Sequence, residues 1–245
     1  MALGGLKVRA VLLDGLGTLV ALQPPWETFA DGLRREYGIE LSAGEAEWAF
    51  TAEMHYYRAH HLEGHDATAL EGLRGRCAEV LHAALPMRAA RALSLRQVTA
   101  SMLDALRFSA YADALSVLPL LRARGIGLVV VSNWDVSLAP TLRGLGLSGL
   151  LDGVITSAAV GAAKPAPEVF HAALELLEVS PQEALHVGDD PRLDVLGARA
   201  AGVLPVLLCR EGAPPPAPLG AAGAGGGALT GMVTISSLAE LPRLL

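Results

Sequence analysis

The chain has 245 residues, of which 52% are hydrophobic and 18% charged, and a formal net charge of −6. That length accommodates one large domain or a core with an insertion, and the acidic balance gives no electrostatic case for nucleic acid or an anionic membrane. No apolar run approaches the ~20 residues of a membrane span, and Cys77 and Cys209 form no motif, which fits a reducing compartment better than a disulfide framework.

The first predicted element is the apolar run Val8–Leu13, read as a short buried strand. Nothing before it has the length of a signal peptide, so a cytoplasmic location is expected. The run ends on a carboxylate, in Asp14-Gly15-Leu16-Gly17-Thr18-Leu19, where two glycines free the backbone to turn sharply. A carboxylate at the carboxyl end of a parallel strand lies where open α/β sheets bind their ligands.

Residues 21–108 carry no strand pattern and four helix-like segments, near 26–37, 43–61, 67–85 and 91–107. Ser42-x-x-Glu45 has the form of a capping box at the head of the second. That segment also carries Tyr56, Tyr57, Arg58 and the histidines His55, His60, His61 and His65. Only His61 and His65 have the helical spacing to converge on a ligand, and a partly exposed helix is the expectation. These side chains become candidates for substrate selection if the segment faces the site.

Strands and helices then alternate. Apolar runs at Leu128–Ser132, Gly153–Thr156, Ala184–Val187, Val203–Leu208 and Met232–Ile235 are separated by helical patterns at 111–124, 136–146, 167–178 and 191–201. This predicts a parallel sheet with right-handed crossovers. Residues 211–230, rich in Gly, Pro and Ala, read as a surface loop.

Polar residues collect where these runs end. Ser132-Asn133 close one run, with Trp134 and Asp135 behind them as possible pocket lining. Lys164, one of two lysines among nineteen basic residues, precedes Pro165-Ala-Pro167. Asp189 and Asp194 lie five apart in His186-Val-Gly188-Asp189-Asp190-Pro191-Arg-Leu-Asp194. Asp190 is expected to cap the following helix, with Pro191 at its first position, and His186 to be a packed core residue. Singly, Asp14 also fits a turn cap, Ser132-Asn133 a turn, Lys164 a solvated loop and Asp194 a helix surface. Jointly they set three carboxylates against one ammonium, a formal balance of −2 that suits Mg²⁺, a cation of oxygen ligands. A carboxylate can also act as a nucleophile toward phosphorus.

In this order, Asp14 with Thr18, Ser132-Asn133, Lys164, and Asp189 with Asp194 resemble the four motifs of the haloacid dehalogenase superfamily of hydrolases. The helical stretch after the first motif is similar to that of the family's helical-cap subclass, and the resemblance spans nearly the whole chain. It implies an α/β fold: a Rossmann-like parallel-sheet core of residues 1–20 and 109–245, and an inserted α-helical cap of residues 21–108. It implies catalytic roles for Asp14, Thr18, Ser132 and Lys164, with an aspartyl-phosphate formed on Asp14. Substrate contacts fall to Ser132, Asn133 and Lys164. The implied Mg²⁺ ligands are the Asp14 side chain, the backbone carbonyl of Leu16, and Asp189, supported by Asp194 directly or through water. The expected substrate is a small phosphorylated metabolite, with no nucleic-acid or membrane partner; oligomeric state is left open.

Position 16 departs from the pattern. Family phosphatases commonly carry a second Asp there as general acid and base, and Leu16 cannot transfer a proton. Such catalysis is typically worth ~10²–10⁴-fold, so slow turnover of poor leaving groups is expected. Two alternatives follow: a metal-independent 2-haloacid dehalogenase, and a catalytically impaired binding or regulatory module. Against the first, Phe170 stands where dehalogenases usually carry Tyr, and Gly188-Asp189 replaces their Ser/Asn-rich fourth motif. A phosphonatase would need a cap lysine, and residues 21–115 contain none.

Overall fold

A computed structural model describes residues 7–210, 212 and 232–245. The chain divides into two compact units, Met1–Ala21 with Ala110–Leu245, and Leu22–Ser109. Strand β1, Ala10–Leu13, is fully buried along its length, as a central parallel strand covered on both faces requires. Strand β2, Val20–Leu22, pairs with β3, Phe108–Ala110, in a two-stranded sheet where the chain passes from one unit to the other. The expectation that residues 21–108 hold no strand is corrected here. Strands of three residues are too short to display a period of two.

The inserted unit is helical: α1 (Pro25–Tyr37), α2 (Ala43–His60), α3 (Ala67–Ala84), α4 (Met87–Ala92) and α5 (Leu95–Ala105). Ser42 and Glu45 form the predicted capping box of α2. The expected helix over 91–107 is α5, opened by a second box of Ser94 and Gln97, and the short α4 before it was not expected. Phe29, Phe50, Leu73, Leu81, Val98 and Met102 make the centre of this unit, the two phenylalanines meeting edge to face at 5.2 Å. His61 Nδ1 lies 2.9 Å from the Arg58 carbonyl, and His65 Nε2 lies 3.5 Å from an Asp66 carboxylate oxygen.

The second unit continues through α6 (Ala112–Ala123), β4 (Gly127–Ser132), α7 (Leu138–Gly144), β5 (Gly153–Thr156), α8 (Ser157–Val160), α9 (Glu168–Leu177) and β6 (Ala184–Gly188). A π-helical segment, Pro191–Leu196, precedes α10 (Gly197–Ala200), β7 (Leu204–Leu208), β8 (Val233–Ile235) and α11 (Leu241–Leu244). Six strands form one parallel sheet in the order β5-β4-β1-β6-β7-β8, the α/β Rossmann-like arrangement. On one face Val169, Phe170, Ala173 and Leu174 of α9 pack on Ala10 and Leu12 of β1 and Val129 and Val131 of β4.

The strand order reverses about β1, where Leu13 lies opposite both Val130 and Val187. The carboxyl ends of β1, β4 and β6 therefore converge at a topological switch point, the usual ligand position in such sheets. Most of the segment expected as a surface loop, 211–230, lies outside the described residues. Among the described residues, no helix is long and apolar enough to cross a membrane.

Candidate active site

The loop after β1 is fixed by its own backbone. The Asp14 N–H donates to the Val187 carbonyl of β6 at 2.9 Å. The Gly15 carbonyl accepts from Leu19 and Val20 at 2.8 and 3.0 Å, and the Gly17 N–H donates to the Val20 carbonyl at 2.8 Å. Gly17 sits at φ +84°, and a Cβ there would also collide with the Asp189 carboxyl, so both backbone and space demand glycine. Arg210 donates from Nε to the Gly17 carbonyl at 3.1 Å and from Nη2 to the Thr18 carbonyl at 2.7 Å. The Tyr111 N–H takes the Leu19 carbonyl at 3.0 Å. Among the described residues, none of these bonds falls on the Leu16 carbonyl, and Leu16 is 38% exposed.

Around this loop lies a buried network of charges. Asp14 Oδ1 accepts from Ser132 Oγ at 3.0 Å and from Lys164 Nζ at 2.5 Å. Lys164 Nζ also donates to Asp194 Oδ1 at 2.7 Å, and His186 Nε2 lies 2.9 Å from the same oxygen. The second Asp194 oxygen accepts the Asp190 N–H at 2.9 Å. Asn133 exchanges two hydrogen bonds with the Lys164 backbone, donating to its carbonyl at 3.0 Å and accepting its N–H at 2.7 Å. The side-chain amide of Asn133 thus anchors the lysine loop to the end of β4.

The buried ammonium and carboxylates answer to each other. Burial alone would lower the Lys164 pKa, but Asp14 and Asp194 outweigh it and the net direction is up. Burial would raise that of Asp194, and Lys164 with His186 reverses this, leaving Asp194 ionised. Asp14 goes the other way: burial raises it, and Lys164 offsets only part. Partial desolvation, then the charges of Asp14 and Asp194, push the Asp189 carboxyl up to about 7. Asp189 still reaches solvent, so the two neighbouring anions are the cause a bound cation would relieve.

One carboxylate oxygen from each of Asp14, Asp189 and Asp194 lies within 4.8 Å of the others. An all-oxygen, anionic donor set fits a hard divalent cation such as Mg²⁺. Both Asp194 oxygens are already engaged, which suits support through water better than direct ligation.

Asp14, Ser132, Lys164 and Asp194 thus meet in one network, with Asp189 beside it and Asn133 behind the lysine. Thr18 is buried in the loop, yet among the described residues its hydroxyl has no hydrogen-bond partner. Its tie to the structure runs through its carbonyl. Asp190 caps the next segment as predicted, accepting from Arg192 and Leu193, but that segment is π rather than α. Trp134 and Asp135 are buried, and both hold Ser137. Two participants went unseen in the sequence. His186 is packed edge-on against Phe170, as expected of a core residue, but it also bonds Asp194. Arg210 carried no signal at all.

Comparison with known proteins places the geometry in context. The model of the haloacid dehalogenase-like hydrolases matches residues 8–202. Haloacid dehalogenase-like hydrolase domain-containing protein 3 from Bos taurus is 32% identical over 209 residues, covering 83% of this chain and 82% of that protein. A phosphoserine phosphatase from Thermus thermophilus is 40% identical over 105 residues, 42% of each chain. Among solved structures, a HAD phosphatase from Thermococcus onnurineus superposes with a TM-score of 0.62 at 26% identity, covering 97% of both chains.

Proposed function

This chain belongs to the haloacid dehalogenase-like hydrolase family, and we propose that it is a Mg²⁺-dependent phosphatase of small phosphorylated metabolites. The observation that carries this is the meeting of Asp14, Asp189 and Asp194 around a single buried lysine at the strand ends. Similarity to a phosphoserine phosphatase supports a small phosphate ester as substrate.

A carboxylate oxygen of Asp14 attacks phosphorus, and the bond from phosphorus to the ester oxygen breaks. Water then hydrolyses the aspartyl-phosphate, releasing phosphate and restoring Asp14. Lys164 offsets charge on the nucleophile and the transferring group, while Ser132 and the backbone N–H of Asn133 bind phosphate oxygens. Asp14, the Leu16 carbonyl and Asp189 would hold Mg²⁺, with Asp194 in support; when bound, it supplies positive charge to the phosphoryl oxygens. The helical unit is the cap in this scheme and selects the substrate.

Hydrolysis of p-nitrophenyl phosphate with and without Mg²⁺ tests the scheme, because that leaving group departs without a proton. Turnover is expected with Mg²⁺, none in EDTA and none from Asp14→Asn. Activity that survives either change overturns the mechanism. Leu16 favours a second reading, an impaired core that binds a phosphorylated ligand. That reading gains if a broad panel of phosphate esters gives no turnover but retains ligand-induced thermal shifts. The dehalogenase alternative has less support, since Phe170 is packed into the core against His186 and the fourth motif is acidic.

A further inference from the structure

We propose that Arg210 is a positioning residue for the nucleophile loop, holding the Gly17 and Thr18 carbonyls so that Asp14 and the Leu16 carbonyl keep a fixed relative placement. Arg210 lies just past the end of β7, far in sequence from the loop it holds. Four of its guanidinium hydrogen bonds are made at once. Two go to the loop carbonyls, at 3.1 and 2.7 Å, and two form a fork onto Asp113, from Nη1 at 2.9 Å and Nη2 at 3.0 Å. The guanidinium also lies over the Tyr111 ring, 3.7 Å from its centroid.

Its anchor is itself anchored. Asp113 Oδ2 accepts from Ser237 Oγ at 2.8 Å and from the Leu238 N–H at 2.9 Å. Partial burial works against ionisation of Asp113, but Arg210 and Ser237 hold its carboxyl below the usual carboxylate range. The guanidinium is thus fixed in plane and height before it reaches the loop. A planar guanidinium can fork onto a carboxylate with two bonds and still donate to two successive carbonyls; an ammonium, with three donors, cannot make all four. Tyr111 adds a further tie, its N–H on the Leu19 carbonyl. Carbonyls 17, 18 and 19 are therefore all taken by Arg210 and Tyr111, and the carbonyl left out is that of Leu16.

The metal side of this inference rests on the function proposed above; the loop side does not. The test compares the parent with Arg210→Met, Arg210→Lys and Asp113→Asn. Three quantities are read: amide exchange of residues 15–20 in metal-free protein, Mg²⁺ affinity by calorimetry, and kcat and KM on p-nitrophenyl phosphate. Losing charge-assisted bonds of this kind is expected to cost about 10-fold or more. Arg210→Met should speed exchange at the Gly17 and Val20 amides by about that factor, weaken Mg²⁺ about 10-fold, and lower kcat with KM nearly unchanged. Arg210→Lys should recover only part. Asp113→Asn, which loosens the fork but keeps the guanidinium, should move the same quantities less, and it decides the matter if Arg210→Met does not fold. A folded variant with lowered thermal stability but parental loop exchange and Mg²⁺ affinity overturns the proposal, because a merely structural brace behaves that way. If the parent itself fails to hydrolyse the ester, the phosphatase reading falls, and loop exchange still decides the role of Arg210.

Discussion

At position 16 an aliphatic side chain stands where the resemblance to family phosphatases implies a proton-transferring Asp. Leu16 is partly exposed, so replacing it removes little packing, and the loop bonds around it come from backbone atoms of its neighbours. Leu16→Asp should therefore fold and gain activity. The gain should be roughly 10²-fold or more on an alkyl phosphate, whose alkoxide needs a proton, and small on p-nitrophenyl phosphate. Rates measured across leaving groups of rising pKa check this: the parent should fall steeply and the variant much less. Equal effects on all leaving groups would show that position 16 does not reach the departing oxygen. Asp14 and Asp189 were legible in the sequence as carboxylates after apolar runs, Lys164 as one of two lysines placed before Pro165-Ala-Pro167, and Asp194 by its spacing of five from Asp189. His186 and Arg210 were not. His186 sits inside such a run and reads as core, while Arg210 is one of seventeen arginines, distinguished only by what it touches after folding.

The larger elements follow the same division. Runs buried on both faces and helices with a long apolar stripe announce themselves, and β1, β4, β5 and β6 lie where the pattern puts them. The pair β2 and β3 is too short to show a period, and the π turn of Pro191–Leu196 arises from tertiary demands. There the Asp190 carbonyl accepts from both Asp194 and Val195, while the Asp194 carboxylate turns back onto the Asp190 N–H and Lys164. Wide turns of this kind often mark functional sites. Helix α2 carries a different anomaly, a buried Glu53 whose neighbour is the Cys77 thiol and which forms no ion pair among the described residues. Burial raises its pKa. A carboxyl raised in the folded state contributes stability that is fully present below its unfolded value and is lost as pH climbs through the folded one. Glu53→Gln should thus be near neutral at pH 4 and stabilising at pH 8. About 1 kcal/mol moves a unit of this size by ~4–8 °C, so a difference of that order is expected between the variant's two pH values, relative to the parent. Thermal melts followed by circular dichroism measure it, and a shift independent of pH would mean that Glu53 titrates alike in the folded and unfolded chain.

For the molecule as a whole, the acidic cluster should make stability depend on a cation. Three carboxylates and one lysine meet in the sheet-bearing unit, and the Asp189 carboxyl is pushed up to about 7. By the same sign rule, without metal this group contributes stability below its ordinary value near 3.8 and loses it as pH rises toward 7 and beyond. A divalent cation replaces the lost protons, so its benefit should grow over that interval. Saturation at 100 times the dissociation constant stabilises by about 2.7 kcal/mol, or roughly 5–10 °C for a unit of this length. Calorimetric scans in Mg²⁺ and in EDTA should therefore show a transition that moves up by about that amount at pH 8 and by clearly less at pH 5. Asp189→Asn should abolish most of the shift while raising the metal-free melting temperature at pH 8. A shift that is absent, or equally large in Asp189→Asn, would mean that the three carboxylates are gathered for some purpose other than holding a cation.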